Sequence, residues 1–328
     1  MIYLGGYCSQ GGQGIGAAAL CEGVLAVASV AGCPEDPTFL AVAPGGRTLY
    51  AAHELADGLA SAFAIGDDGN LRLLGTQGSG GALPIHVSVH PSGRYLLCAN
   101  WGSGSFAVLP IDVDGALGAV AHVVEHPKPY AHMITTDPAG RWVLAVHYGV
   151  GAVFTYHLDL ESGRLGPQRQ THLHPGAGPR HLAFHPGGAV LYVVNEADST
   201  VTACGWDPEG GRVEPGETVR TVPAEALVDN YPSAVLVSPD GRFVYVANRF
   251  HDSVGVLATE RSLRLIATYA CGGEFPRDMA LGERGRLLYV ANERADLVTG
   301  LVVDPVDGSL VAADSAVRMP RPTCVLPV

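Results

Sequence analysis

Apolar runs rich in β-branched and aromatic residues, joined in pairs by a tight Pro-Gly turn, recur along the whole chain. The clearest copy is residues 178–196, GPRHLAFHPGGAVLYVVNE. Such a pattern reads as two antiparallel strands and a hairpin turn. Cognate segments begin at Pro37 (PTFLAVAPGGRTLYAAHE), Pro84 (PIHVSVHPSGRYLLCANW), Ala131 (AHMITTDPAGRWVLAVHYG), Pro232 (PSAVLVSPDGRFVYVANRF) and Pro276 (PRDMALGERGRLLYVANE), and half a unit begins at Pro322 (PTCVLPV). Starts at 37, 84, 131, 179, 232, 276 and 322 give a period in the forties. Third strands are expected at 59–65, 105–111, 153–158, 200–206, 253–258 and 298–303, and fourth strands at 71–75, 120–125 and 264–270, after turns such as DDGN at 67–70 and DVDG at 112–115. Four strands per period is the signature of a propeller blade.

The half unit at one end needs a partner, and MIYLGGY at 1–7 reads as the second strand of that hairpin, followed by strands at 15–21 and 24–30. The expected fold is therefore all-β, a seven-bladed β-propeller of four-stranded antiparallel blades whose ring is closed by pairing the N- and C-terminal strands in one blade. Closure removes a sheet edge that would otherwise template aggregation. The repeat implies one domain over 1–328: a split blade of 1–33 plus 322–328, and blades near 37–80, 84–126, 131–175, 179–223, 232–272 and 276–319. The longest interval, between blades four and five, leaves 223–231 as a loop over one face.

Composition sharpens this picture. Of 328 residues, 47% are hydrophobic and only 16% charged, with 43 Gly and 23 Pro for a large core and many turns. The net charge is −12 and Lys128 is the only lysine beside 19 arginines, so no basic surface for nucleic acid or an anionic membrane is expected. Seven cysteines (Cys8, Cys21, Cys33, Cys98, Cys204, Cys271, Cys324) without a CxxC pair read as buried thiols of a reducing compartment. With no Lys or Arg before Arg47, a signal peptide is not expected; the apolar stretch 14–32 is read as two strands broken at Glu22-Gly23. A cytoplasmic protein, monomeric or homodimeric, is the expectation.

Because strands one and two of a blade are antiparallel, the start of the first and the end of the second share one end, opposite the PxGR turn. These positions gather around one mouth of the central channel. First-strand starts contribute Thr38, Ile85, His132, Arg180, Ser233, Arg277 and Thr323; second-strand ends contribute Glu54, Asn100, His147 with Tyr148, Glu196, Arg249, and Asn292 with Glu293. Arg, His and Glu concentrate on blades three to six. Arg180 and Glu196 can pair as a buried salt bridge or act on a substrate: an arginine grips a carboxylate or phosphate by its fork and stabilises an oxyanion without titrating. His132 suits proton transfer, Glu196 general-base activation of water. Arg249 and Arg277 serve either as an anion clamp or in packing between blades. His147, Tyr148, Asn100, Trp101 and Glu54 are expected to line the pocket, and His90 and His185 to be structural on the turn face. His172 and His174 share a strand face like a metal pair, yet no third ligand lies near.

At these residues the chain resembles the lactonase family of seven-bladed propellers, which includes bacterial 6-phosphogluconolactonase and fungal carboxymuconate-lactonising enzyme. The resemblance spans essentially the whole chain. It is most specific in GPRHLAFHP with the later Glu of VVNE, in AHMITTDPAGR, and in VYVANRFHDSV. It implies His132, Arg180, Glu196 and Arg249 as catalytic residues, with Arg277 of FPRDM a further candidate. Tyr130-Ala131-His132 stands where the family usually has His-Ala-His, His147-Tyr148-Gly149 where Asp-Leu-Gly is frequent, and Ala234 where an acidic residue is common.

No cofactor is expected: the loose GxGxxA match at 12–17 runs into a strand and not a helix, and an arginine-lined mouth is a poor cation site, so a metal-free mechanism is preferred. The absence of GxSxG and HExxH argues against α/β-hydrolase and zincin chemistry. The expected activity is a lactonase, acting on an anionic sugar lactone or a related carboxylated lactone in either direction. A non-catalytic binding or scaffold propeller like the YVTN-repeat proteins, which VYVANRFHDSV also resembles, and a cyclase or isomerase recruited to a biosynthetic pathway are the competing classes.

Overall fold

The structure, a computed structural model, describes residues 1–21 and 24–328; the turn assigned to Glu22-Gly23 lies outside the described residues. Seven four-stranded antiparallel sheets are arranged as a seven-bladed β-propeller. Their inner strands are Pro37–Val42, Pro84–Val89, Ala131–Thr136, Pro179–Phe184, Tyr231–Val237, Pro276–Gly282 and Pro322–Pro327, and each touches its neighbours in a closed cycle. Closure occurs as the sequence leads one to expect. Ile2–Gly6 pairs antiparallel with Pro322–Pro327, Leu4 opposite Val325, and Ile15–Cys21 and Val24–Ala31 complete that blade.

Strand bounds agree with the alternation pattern to within a residue at most ends; the fourth strand of blade one runs on to Gly78, and a proline shifts the bounds in blade two. The third strand of blade two stops at Pro110, which cannot donate to the ladder, and Ile111 bridges singly to Leu117. The fourth strand of that blade therefore starts at His122, two residues later than expected. The core lies between blades. Buried tyrosines of the second strands reach across to the next blade's turn, Tyr50 Oη donating to Gly115 O at 3.0 Å and Tyr3 Oη to Gly69 O at 2.9 Å, so each ring is buried with its hydroxyl satisfied. On the turn face His90 bonds Ser92 Oγ and the Gly140 carbonyl, and His185 Nδ1 accepts from Gly187 N–H, both as structural staples.

One irregularity positions the site. In every blade the pairing of inner and second strands shifts register just after the inner strand begins: between Pro37 and Phe39, Pro84 and His86, Ala131 and Met133, Pro179 and His181, Pro232 and Val235, Pro276 and Asp278, and Pro322 and Cys324. The skipped residues include Thr38, Ile85, His132, Arg180, Ser233, Arg277 and Thr323. A bulge releases a residue from the ladder and re-aims its side chain. Two consecutive residues then face the channel where regular alternation would send one outward.

Candidate active site

Two stacked tiers of side chains form the mouth. The bulge residues make the lower tier. The upper tier is the residue just past each second strand, Tyr7, Glu54, Trp101, Tyr148, Glu196 and Glu293, together with Arg249, the last residue of its own strand. Backbone bonds fix most of these, as Glu196 N–H donates to Gly178 O at 2.8 Å, Trp101 N–H to Leu83 O at 2.8 Å and Tyr7 N–H to Arg321 O at 3.2 Å. Between the tiers lies a cavity of about 210 Å³ lined by Tyr7, Glu54, Ile85, Trp101, His132, Arg180, Glu196, Arg249 and Arg277.

The charges fall into two clusters. In the first, Glu196 Oε2 stands 3.2 Å from Arg180 Nε and 2.8 Å from Arg249 Nη2. Arg180 also donates to Ser233 O at 2.6 Å and Arg249 Nε to Tyr231 O at 2.8 Å, which locks both guanidiniums. The Arg249 contact is an ion pair without hydrogen-bond alignment, leaving Nη2 with no acceptor among the described residues. Burial, and then the mutual repulsion of the two guanidiniums, pulls Arg180 down to about 9; burial also lowers Arg249, against the attraction of Glu196. In the second cluster Arg277 donates to Glu293 at 3.1 Å and to Tyr7 Oη at 3.0 Å and lies 3.7 Å from Glu54, while Arg321 holds the other Glu293 oxygen at 2.6 Å. Burial opposes the Arg277 charge, but Tyr7, Glu54 and Glu293 outweigh it and hold the guanidinium above its ordinary range. Two guanidiniums face two carboxylates there, so this cluster balances, whereas Arg180 and Arg249 exceed Glu196 by one positive charge.

Beneath the mouth, His132, His181 and His86 pack ring against ring, with centroids 5.0 Å (His132–His181) and 5.5 Å (His86–His181) apart. Burial, followed by the nearby Arg180, pushes all three below the ordinary histidine range, His86 to about 3, so the imidazoles are neutral at pH 7. Nδ1 of His132 is buried without a partner. Asp278 on the same channel wall is raised to about 6 by burial.

Of the residues expected from sequence, His132, Arg180, Glu196, Arg249, Arg277, Trp101 and Glu54 converge on this cavity. Asn100 and His147 do not. Each is the last residue of its second strand, one position short of the mouth tier, and fully buried. Asn100 bonds Ser79 and Ser105 within the blade, and His147 packs on His126, Phe106 and Phe154. The pleat turns them from the channel and turns Trp101 and Tyr148 toward it. Tyr148 stands at the rim, its ring 5.8 Å from Trp101. Arg277 is first a tie between blade six, the closing blade and blade one. Sequence reasoning missed Tyr7, although it occupies the same place after GG in MIYLGGY that Glu54 does after AAH, and it missed His86, His181 and Asp278, which strict alternation assigns to the other face. Cys8 and Cys33 are half-buried, not buried, and hydrogen-bonded to each other. Among the described residues no group of three His, Cys, Asp or Glu side chains is placed to hold a metal ion, and no helix is long and apolar enough to cross a membrane.

Comparison with known proteins agrees with the seven-bladed fold. The family described as Lactonase, 7-bladed beta-propeller, matches residues 1–327. A 6-phosphogluconolactonase of Bacillus subtilis is 32% identical over 340 aligned positions, covering 98% of this chain and 97% of its own. A periplasmic gluconolactonase of Pseudomonas aeruginosa superposes with a TM-score of 0.92 at 27% identity, over 100% of this chain and 99% of that one. A putative 6-phosphogluconolactonase of Bacteroides fragilis gives 0.91 at 25% identity, over 99% and 96%.

Proposed function

The chain belongs to the lactonase family of seven-bladed β-propellers, and from that premise we propose that it hydrolyses an anionic sugar lactone in the mouth formed by His132, Arg180, Glu196 and Arg249. The observation that carries the reading is the Arg180–Glu196–Arg249 cluster: a carboxylate held by two guanidiniums, one positive charge in excess, on a sugar-sized cavity in a chain of net charge −12.

The chemistry follows from that charge count. Glu196 takes a proton from water as the water oxygen bonds to the lactone carbonyl carbon. Negative charge then moves from the carboxylate to the carbonyl oxygen, and Arg180 and Arg249, relieved of one anion, meet another. Because the cluster's total charge is unchanged, the buried guanidiniums need no solvent to rearrange. On collapse the bond from the carbonyl carbon to the ring oxygen breaks, and protonated Glu196 returns its proton to that oxygen, giving the open hydroxy acid. His132, neutral, orients the ring by hydrogen bonding. Arg180, the deeper guanidinium, faces the carbonyl oxygen, and Arg249, whose Nη2 is ion-paired with Glu196 without hydrogen-bond alignment, meets the substrate's anionic substituent; Arg277 is committed to Glu293 and Tyr7. The free thiols fit a reducing, cytoplasmic setting.

Hydrolysis of glucono-1,5-lactone and its 6-phosphate, followed by pH-stat, tests this. Glu196→Gln is expected to lower kcat on both by about 10²–10⁴. Arg249→Gln is expected to raise KM for the phosphate by about tenfold and to raise KM for the neutral lactone less. Wild-type turnover in Glu196→Gln removes the proposed base.

A further inference from the structure

A second concavity, of about 500 Å³, opens beside the mouth between blades three and four. Its walls are the 149–151 turn, the 172–178 segment and Ala197, and Tyr148 is the partition. The Tyr148 ring lies 5.8 Å from Trp101 of the mouth and borders the groove itself. One backbone ladder serves as wall to both spaces: Glu196, facing the mouth, donates its N–H to Gly178 O, and Ala197, facing the groove, donates to Ala177 O at 3.1 Å. Gly178 has φ +61, and a Cβ there would stand 2.7 Å from both Tyr148 and Ala197, so glycine is what lets the tyrosine ring lie against this wall.

Above the partition, Trp101, Tyr130 and Tyr148 form an aromatic shelf, with ring centroids 4.5 Å (Trp101–Tyr130) and 6.1 Å (Tyr130–Tyr148) apart. Tyr130 is 41% exposed at φ +83. The left-handed backbone recurs at this place in other blades, at Asp36, Leu83 and Phe275, and is a feature of the repeat; Tyr130 is the residue there that joins its ring to Trp101 and Tyr148. Inside the groove, His174 Nε2 is hydrogen-bonded to Asp198, and His172 Nε2 to Gln170 at 2.9 Å; the strand ends at His172 and His174 lies past it, so the two do not share a strand face, and both are engaged with protein and offer polar edges, not an open metal site. Among the described residues no Arg or Lys lines the groove. Its occupant is accordingly neutral, with an apolar face for the ring shelf and hydroxyls for histidine and backbone groups, which describes a pyranose.

The mouth alone is smaller than the ~300–1,000 Å³ of typical ligand pockets and suits one ring. We propose that the groove between blades three and four is a second-ring subsite, so that the favoured substrate is an anionic aldonolactone carrying a further neutral sugar, its lactone ring and anionic group in the mouth and its second ring beyond Tyr148. The proposal rests on the lactonase reading for the first ring, and its test is a binding measurement that needs no turnover.

The probes are acids of the class that hydrolysis would release: gluconate and the β-1,4-linked disaccharide acid cellobionate, titrated by calorimetry into the wild type and into His174→Ala and Tyr148→Ala, each first checked by melting. Cellobionate is expected to bind the wild type about tenfold more tightly than gluconate. His174→Ala is expected to weaken cellobionate and leave gluconate unchanged, and Tyr148→Ala to abolish the preference. Equal affinities in the wild type, binding of neither acid, or a preference surviving both substitutions overturns the subsite. A wild type that prefers cellobionate but hydrolyses neither lactone overturns the lactonase reading and leaves the subsite standing.

Discussion

At His132 the surroundings decide a protonation state that the residue type leaves open. Burial and the guanidiniums of Arg180, Arg277 and Arg249 hold the imidazole well below its ordinary range. Between pH 6 and 8 it is therefore deprotonated throughout, and kcat/KM is expected to show no inflection near 6.5; an inflection there that disappears in His132→Asn would contradict this. Cys8 illustrates the opposite influence. The Cys33 thiol donates to it and outweighs the opposing effect of burial, and with the Asp36 and Gly14 amides adding to the thiol's effect Cys8 is lowered to about 7. Burial raises Cys98 and Cys204 to about 12. Since the thiolate is the reactive form, brief iodoacetamide treatment at pH 7.5 with peptide mass mapping is expected to label Cys8 well before Cys98 or Cys204. Nothing in the spacing of Cys8 and Cys33 announces the pairing, because it depends on two turns of the closing blade meeting.

At the scale of the strand, two devices recur: the bulge near the start of each inner strand, and a buried His or Asn at or next to the end of six second strands, His53, Asn100, His147, Asn195, Asn248 and Asn292. Asn248 shows the second device: its Nδ2 donates to Thr221 O at 3.1 Å and Ser253 Oγ at 3.3 Å, and its Oδ1 accepts from Asn230. Asn248→Ala leaves those buried groups unpaired and is expected to cost about 1–3 kcal/mol in urea denaturation. The closing strand carries a larger share. Deleting 322–328 strips Ile2–Gly6 of its partner and exposes an inner edge, so the truncated protein is expected to melt at lower temperature with reduced cooperativity, measured by calorimetry. Strand existence and order were legible because alternation and Pro-Gly turns are local. The bulges were not, since their cause is the crowding of seven inner strands about one axis.

Over the whole molecule, charge and burial set the response to acid. His86, His132 and His181 stay neutral in the fold but take up protons near pH 6.5 once unfolded. Below that pH the unfolded chain holds more protons, so their contribution is intact above 6.5 and lost as pH falls, by up to about 1.4 kcal/mol per pH unit for each. Asp278, raised to about 6, binds its proton in the fold first and offsets part of the loss between pH 6 and about 4. The midpoint of urea unfolding is expected to decline steadily from pH 7 to 5; a midpoint constant over that range would mean the channel histidines are protonated in the fold.

Repeat period, strand pairing and ring closure, together with seven of the ten expected site residues now found on one cavity, were written in the chain, because each follows from local alternation and from copies that can be aligned with one another. The tertiary structure alone decided that Asn100 and His147 turn away, that Tyr7, His181 and Asp278 turn in, that Arg277 is neutralised while the Arg180–Arg249 pair keeps a spare charge, and that a groove adjoins the mouth. The physical reason is common to all of these. They depend on how separate blades approach around the axis, and distances between groups far apart in sequence leave no periodic trace in it.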